Sequence, residues 1–313
     1  MNGVITLGEA LIDFTPLDDD NLEFKKNPGG APANVAVGLS RLGVDTTFVG
    51  KVGDDVLGNF LKETLDNNGV NTTEMLLTDE ARTGLTFVTL DEDGDRSFSF
   101  YIDPSADRFL RPEEINPDIF AENKILHCGS ISLIDEPARS ATRYAIQQAK
   151  DNDMLVSYDP NLRRNLWANL ETAQARIVSV LDEVDILKIS EEELEFITGT
   201  MQAEEGVKEL AEEYDISLIY ITWGGKGAYY YYQGQLEFVD SLDVRAVDTT
   251  GAGDAFVSGI LYQINQTDQA LADLDKEFLK TTAKLASVSG GLAVSDKGAM
   301  AALPTLDEIE ENL

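Results

Sequence analysis

Leu155-Val156-Ser157-Tyr158-Asp159 is a short apolar run closed by a carboxylate, and runs of the same kind recur at residues 125–127, 186–189 and 218–222. Between them lie stretches with helical spacing. Residues 137–150 set Tyr144, Ile146 and Ala149 among polar neighbours, and residues 206–214 repeat the pattern. Short apolar strands alternating with amphipathic helices predict βαβ units and a parallel sheet covered on both faces. The fold class read from this alternation is α/β.

The first third has a different texture. Residues 83–90 and 96–101 read as two strands joined by a Gly-containing turn at 91–95, with Phe98 and Phe100 alternating with Ser97, Ser99 and Tyr101. With residues 11–14 and 22–25, this hairpin is expected to form a small antiparallel β lid on the main body. The expected organisation is therefore a single domain over 1–313, with a lid at about 11–29 and 83–109. No Pro/Ser-rich linker, internal repeat or heptad pattern divides it.

Composition narrows the partners. The chain has 313 residues with 57 Asp+Glu against 24 Lys+Arg, a net charge of −33. Nucleic acid is excluded as a partner because non-specific affinity for it comes from Lys and Arg neutralising phosphates. Anionic membrane surfaces repel such a chain for the same reason. With 43% hydrophobic residues it is nonetheless a globular sequence, not an acidic tail. The acid is spread along the whole length, which suggests a solvated surface suited to concentrated salt, where a short Debye length screens self-repulsion. One cysteine, Cys128, and one histidine, His127, allow no internal disulfide and no Cys/His zinc site. No signal peptide and no apolar run of membrane-spanning length is evident, so a cytoplasmic location is expected.

The segment richest in chemistry is Asp248-Thr249-Thr250-Gly251-Ala252-Gly253-Asp254-Ala255-Phe256. Small residues lead into a helix with Phe256, Ile260 and Ile264 on one face. Gly251, Ala252 and Gly253 let a ligand approach the backbone, and a helix start offers free N–H groups, so the segment can bind an anion. Asp254, in the first turn, is then positioned to accept the proton of a hydroxyl attacking a phosphoryl group. The plainer alternative is a tight turn followed by a capping acid.

This segment resembles the second signature of the ribokinase-like (phosphofructokinase-B type) sugar kinases. The first signature is matched by Gly29-Gly30-Ala31-Pro32-Ala33-Asn34-Val35-Ala36, then Gly38-Leu39-Ser40-Arg41-Leu42-Gly43, and by Gly50-Lys51-Val52-Gly53-Asp54-Asp55-Val56-Leu57-Gly58. A Walker-type phosphate loop is absent. The resemblance implies a three-layer α/β/α sandwich with a mostly parallel central sheet. It also implies ATP, Mg²⁺ and a monovalent cation, potassium, as cofactors, and a possible homodimer through the lid. Asp254 resembles the family's catalytic base, and the amides of Gly251–Asp254 resemble its anion hole. Asp248 and Thr250, completed by residues 294–299, resemble the monovalent-cation site.

On the nucleotide side, Thr222-Trp223-Gly224-Gly225-Lys226-Gly227 resembles the family's Gly-rich loop, with Thr222, Gly224 and Gly227 as contacts. Ser190-Glu191-Glu192-Glu193 stands where the family has Asn-x-x-Glu. Ser190 replaces the usual Asn, and Glu193 keeps the carboxylate that holds magnesium through water. On the sugar side, the resemblance gives Asp13, Gly29, Gly30 and Asn34 as hydroxyl contacts, Arg163 as a cation for substrate or phosphate, and Phe98 as part of the lid's apolar cover. Phe98 and Phe100 could equally pack between lid strands. Asp159-Pro160-Asn161-Leu162-Arg163 is similar to both fructokinases and 2-keto-3-deoxygluconate kinases. The keto-acid enzymes tend to carry Tyr-x-Arg near Ile102-Asp103, and from there this chain has no arginine until Arg108. Because a buried carboxylate substrate needs paired donors, a neutral ketohexose fits better. The expected reaction is phosphorylation of fructose to fructose 6-phosphate. A 2-keto-3-deoxygluconate kinase, a ribokinase and a silent sugar-binding regulator are the alternatives. A nicotinamide-dependent dehydrogenase is a further possibility on fold grounds, but in this chain no G-x-G-x-x-G opens a helix after residues 4–7.

Overall fold

The computed structural model describes residues 2–90, 96–101 and 104–313. The expected turn at 91–95, Ile102 and Asp103 lie outside the described residues, as does the side chain of Phe98. In chain order the strands are β1 (Val4–Leu7), β2 (Leu11–Pro16), β3 (Phe24–Gly29), β4 (Thr46–Gly53), β5 (Met75–Thr78), β6 (Leu85–Leu90), β7 (Arg96–Tyr101), β8 (Ile125–Cys128), β9 (Leu155–Tyr158), β10 (Ile186–Ser190), β11 (Leu218–Thr222), β12 (Gly227–Tyr232) and β13 (Gln235–Asp240). The helices are α1 (Ala31–Arg41), α2 (Val56–Asn67), α3 (Ala138–Asp151), α4 (Leu170–Val178), α5 (Glu191–Thr198), α6 (Ala203–Tyr214), α7 (Ala252–Gln266), α8 (Lys276–Ala293) and α9 (Leu306–Glu310).

One large sheet runs in the order β13-β12-β11-β10-β9-β8-β1-β4-β5. From β5 to β11 every neighbouring pair is parallel, and β12 and β13 close one edge as an antiparallel hairpin. Strand residues alternate between two cores because successive side chains point to opposite faces. Ile5, Leu126, Leu187 and Ile219 join α3–α6 on one face. Val4, Ile125, Ile186 and Leu218 join α1, α7 and α8 on the other. The sandwich expected from the alternating pattern is thus present, with helices on both faces.

A second sheet, β3-β2-β6-β7, stands apart from the first. The sequence led us to expect an antiparallel lid. Both hairpins are antiparallel, but they join through a parallel β2–β6 pair. The physical reason is connectivity: β2 and β6 each leave the parallel body (after β1 and β5) and run the same way. This register puts Asp13 beside Thr86, and Thr86 beside Phe100, on one face. On the other face Phe14 stacks on Phe87 at 5.0 Å, with Phe24 and Tyr101 edge-on to the same ring.

Parallel strands bring their carboxyl ends to one edge, where open α/β sheets bind ligands. Here that edge carries Gly8 after β1, Asp159 after β9, Ser190 at the end of β10 and Thr222 at the end of β11.

Candidate active site

The site is built on the amino terminus of α7. Gly251 is its N-cap at φ +84°, and a Cβ there would stand 2.9 Å from Ala299 Cα. Both the left-handed backbone and the close approach demand glycine. The first intrahelical bond runs from Ala255 N–H to Gly251 C=O, so the preceding amides belong to the turn that the helix leaves for capping or for a ligand. Of the expected anion-hole amides, that of Ala252 already leans on Thr249 C=O at 3.4 Å. Gly253 and Asp254 follow directly, where the positive end of the helix favours an anion.

Asp254 is buried, and Asn34 Nδ2 donates to its Oδ2 at 2.8 Å. This bond joins the two signature segments, 220 residues apart in sequence. Burial pushes the Asp254 carboxyl up to about 6, and Asp159 adds to this, while the Asn34 bond, Lys188 and Arg163 oppose it. A carboxylate of that basicity can take a proton from an attacking hydroxyl at neutral pH. Asp13 is also raised to about 6 by burial, with Asp254 adding and Arg163 opposing. Gly29 lies against Asp13 so closely that a Cβ would overlap its carboxylate. Gly30, at φ +104°, is the N-cap of α1 and leaves no room for a Cβ against Glu9 C=O. Asp13, Gly29, Gly30, Asn34 and Asp254 are therefore brought to one place. Arg163 is exposed but near enough to act on both carboxyl groups. A cavity of about 470 Å³ is lined by Phe100, Arg108, Ile134, Asp135, Leu166 and Trp167, and none of Asp13, Gly29, Gly30, Asn34 and Asp254 lines it.

The metal-binding expectations fall into two groups. Asp248 is buried, with Oδ1 accepting from Thr250 N–H and Oδ2 from Gly298 N–H. Val294 C=O accepts from Val247 and Asp248 N–H. Asp248, Thr250 and residues 294–298 thus meet. Glu193 takes part in a capping box with Ser190: Ser190 N–H donates to Glu193 Oε2 at 2.8 Å, and Glu193 N–H to Ser190 Oγ at 3.2 Å. Glu193 Oε1 accepts from Leu162 N–H at 2.6 Å. Each carboxylate oxygen keeps a lone pair for a water. Among the described residues no cluster of three or more His, Cys, Asp or Glu could hold a metal. That donor set fits a magnesium ion that keeps its waters and shares phosphate oxygens.

In the Gly-rich loop, Thr222 Oγ1 donates to Ile189 C=O at 3.4 Å. Gly224, at φ +53°, has open space around it, so packing does not explain it. Gly227 has a local reason, because a Cβ there would overlap Val239 C=O on β13.

Two residues escaped sequence reasoning. Lys188 sits in the apolar run of β10, buried, and donates to Asp159 Oδ2 at 2.9 Å. The signal was available: a lysine within an otherwise apolar parallel strand. Glu9 is buried beneath the Gly29–Gly30 turn, its Oε1 accepting from Ala31 N–H at 3.2 Å, and burial lifts it to about 8. His127, the single histidine, lies buried against Ser157 and is driven down to about 3 by burial and by Lys188. It stays neutral and outside the chemistry.

Residues 1–306 match the family model described as pfkB family carbohydrate kinase. The chain is 44% identical to probable fructokinase-4 of Arabidopsis thaliana, over 99% of this chain and 96% of that one. A double-mutant fructokinase of Vibrio cholerae O395, solved in its fructose-, ADP- and potassium-bound form, superposes with a TM-score of 0.91 at 38% identity, covering 100% of this chain and 98% of that one. The fructokinase of Xylella fastidiosa with bound ATP superposes with a TM-score of 0.93 at 35% identity, covering 99% and 97%. With both signatures meeting at Asp254 and the match running nearly end to end, this chain belongs to the pfkB family of carbohydrate kinases.

Proposed function

We propose that the protein transfers the γ-phosphoryl group of ATP to the 6-hydroxyl of D-fructose. The observation that carries this reading is the buried Asp254–Asn34 bond at the start of α7. It sets a base of raised pKa beside an anion-binding helix end. The fructose and nucleotide bound by the related fructokinases support the choice of substrates.

Fructose binds between body and lid, its hydroxyls held by Asp13, Gly29, Gly30 and Asn34, with Phe100 offered by the lid. Asp254 accepts the 6-hydroxyl proton as that oxygen attacks phosphorus in line, and the amides at Gly251, Gly253 and Asp254 hold the charge that develops. Arg163 offsets negative charge between the two carboxylates. Ser190, Thr222 and Gly224 flank the nucleotide. Glu193 would hold magnesium through water, where the ion would supply neutralisation of phosphate charge, and Asp248 and Thr250 would hold potassium beside the helix end. Closure of the lid keeps water from competing as acceptor.

The lid aromatics Phe14, Phe24 and Phe87, half-buried, together with exposed Tyr101, support a homodimer formed through the lid, because an aromatic cluster of this kind gains by being covered. No helix among the described residues is long and apolar enough to cross a membrane. A reducing cytoplasm with high salt suits a chain with one buried cysteine and a net charge of −33.

A coupled ADP-release assay with ATP, Mg²⁺ and a panel of fructose, ribose and 2-keto-3-deoxygluconate tests the reading. Fructose should give the highest kcat/KM. Preference for either of the others would overturn the substrate assignment, and no turnover with any sugar would overturn the kinase itself.

A further inference from the structure

Lys188 is in step with Ile186 on β10, and Ile186 packs in the core shared with α7 and α8. Its side chain therefore projects toward the helix that carries Asp254. The Nζ atom arrives beside Gly253: a Cβ placed on that glycine would lie 3.1 Å from Nζ. The ammonium is 10% exposed and its partner Asp159 5%, and the two are 2.9 Å apart. Asp159 Oδ1 is occupied by Asn161 N–H. Despite burial, which lowers it, the ammonium is raised and held charged by Asp159, Glu193 and Asp254.

This arrangement makes little sense as a stabilising device. A buried ion pair is often no better than an apolar replacement, because desolvation cancels the attraction. A cation beside the amino terminus of a helix is repelled by the helix dipole. Two positive centres, the α7 terminus and Lys188, nevertheless converge on the space next to Gly253. A dianionic or trianionic group satisfies both.

We infer that Lys188 Nζ contacts a non-bridging oxygen of the phosphoryl group during transfer and is a catalytic residue of this kinase. The inference rests on the phosphoryl transfer proposed above. In that step the bond from the fructose 6-oxygen to phosphorus forms and the bond from phosphorus to the bridging oxygen breaks. The electron pair leaves with ADP, and the hydroxyl proton passes to Asp254. Lys188 keeps its own protons and supplies fixed charge to the oxygens in flight, as the helix amides do from the other side. Asp159 aims the ammonium.

The test uses Lys188→Met and the double variant Lys188→Met/Asp159→Asn, which leaves no unpaired carboxylate if the single variant folds poorly. Binding of MgADP with fructose is measured by calorimetry with and without fluoroaluminate, which imitates the phosphoryl group in flight. Both variants should lose about 10²–10³-fold in kcat. They should weaken the fluoroaluminate complex by a similar factor and leave MgADP affinity within about threefold. Recovery of wild-type kcat in the double variant would overturn the inference and reduce Lys188 to a partner of Asp159. Equal losses with and without fluoroaluminate would do the same. An active wild-type enzyme with an unimpaired Lys188→Met variant sinks this inference alone, whereas an inactive wild type sinks the kinase reading beneath it.

Discussion

Replacing Asp254 by Asn should make the protein more stable while destroying its activity. The Asp254 carboxyl has a folded-state pKa of about 6, above the ordinary value of 3.8, with burial the main cause. The folded state therefore binds this proton more tightly than the unfolded state does. Ionised Asp254 costs stability, and the cost grows as pH rises from about 4 to about 6 and is constant above that. A difference of about two units at 1.36 kcal/mol each gives about 3 kcal/mol at pH 7.5. Asn keeps the shape and can still accept the hydrogen bond from Asn34, so the variant escapes the ionisation penalty without losing that contact. Urea unfolding followed by circular dichroism, at constant KCl and at pH 4 and 7.5, reads the effect. The expected gain is up to about 3 kcal/mol at pH 7.5, shrinking toward zero at pH 4. A variant less stable than wild type at pH 7.5, or a gain equal at both pH values, would refute the electrostatic reasoning.

Three further outcomes follow from the same site. The acid limb of kcat at saturating fructose should fall near pH 6, and Asn34→Ala, by removing a bond that lowers the Asp254 pKa, should move that limb upward by about one unit; an unmoved limb assigns the titration to another group. Gly251→Ala meets both a left-handed backbone and Ala299, so it should cost about 1–3 kcal/mol in thermal or chemical unfolding and weaken ATP binding; a fully stable, active variant would show that the turn tolerates a side chain. Added KCl should raise the melting temperature by screening the net charge of −33, and a steady fall with KCl would contradict the account of the acidic surface.

The parallel body was legible because buried strands in an α/β sheet are short apolar runs, and β8, β9, β10 and β11 all fall where the runs lie. The edge hairpin β12–β13 was not read. Its tyrosines at 229–232 face both ways, and its outer strand is mostly exposed, so no clean alternation marks it. The parallel β2–β6 pair was also hidden, because a hairpin pattern shows which strands are adjacent in sequence but not how two hairpins join. Asp254, Asn34 and Gly251 could be named from their motifs. What no local pattern conveys is the pairing of Lys188 with Asp159 across neighbouring strands, or the burial that sets the pKa of Asp13, Glu9 and Asp254. Those properties arise only when the strand ends and α7 meet. The Ser190–Glu193 segment shows the opposite case: a charged helix start is visible in sequence, and the structure contains it as a capping box at the start of α5.

The role of Asp254 is tested most directly by steady-state turnover of Asp254→Asn with ATP, Mg²⁺ and fructose, alongside fructose affinity measured by calorimetry. Loss of the base predicts a fall in kcat of about 10²–10⁴-fold with a smaller change in fructose affinity. Turnover close to wild type would contradict the assignment of Asp254 as the group that receives the sugar's proton.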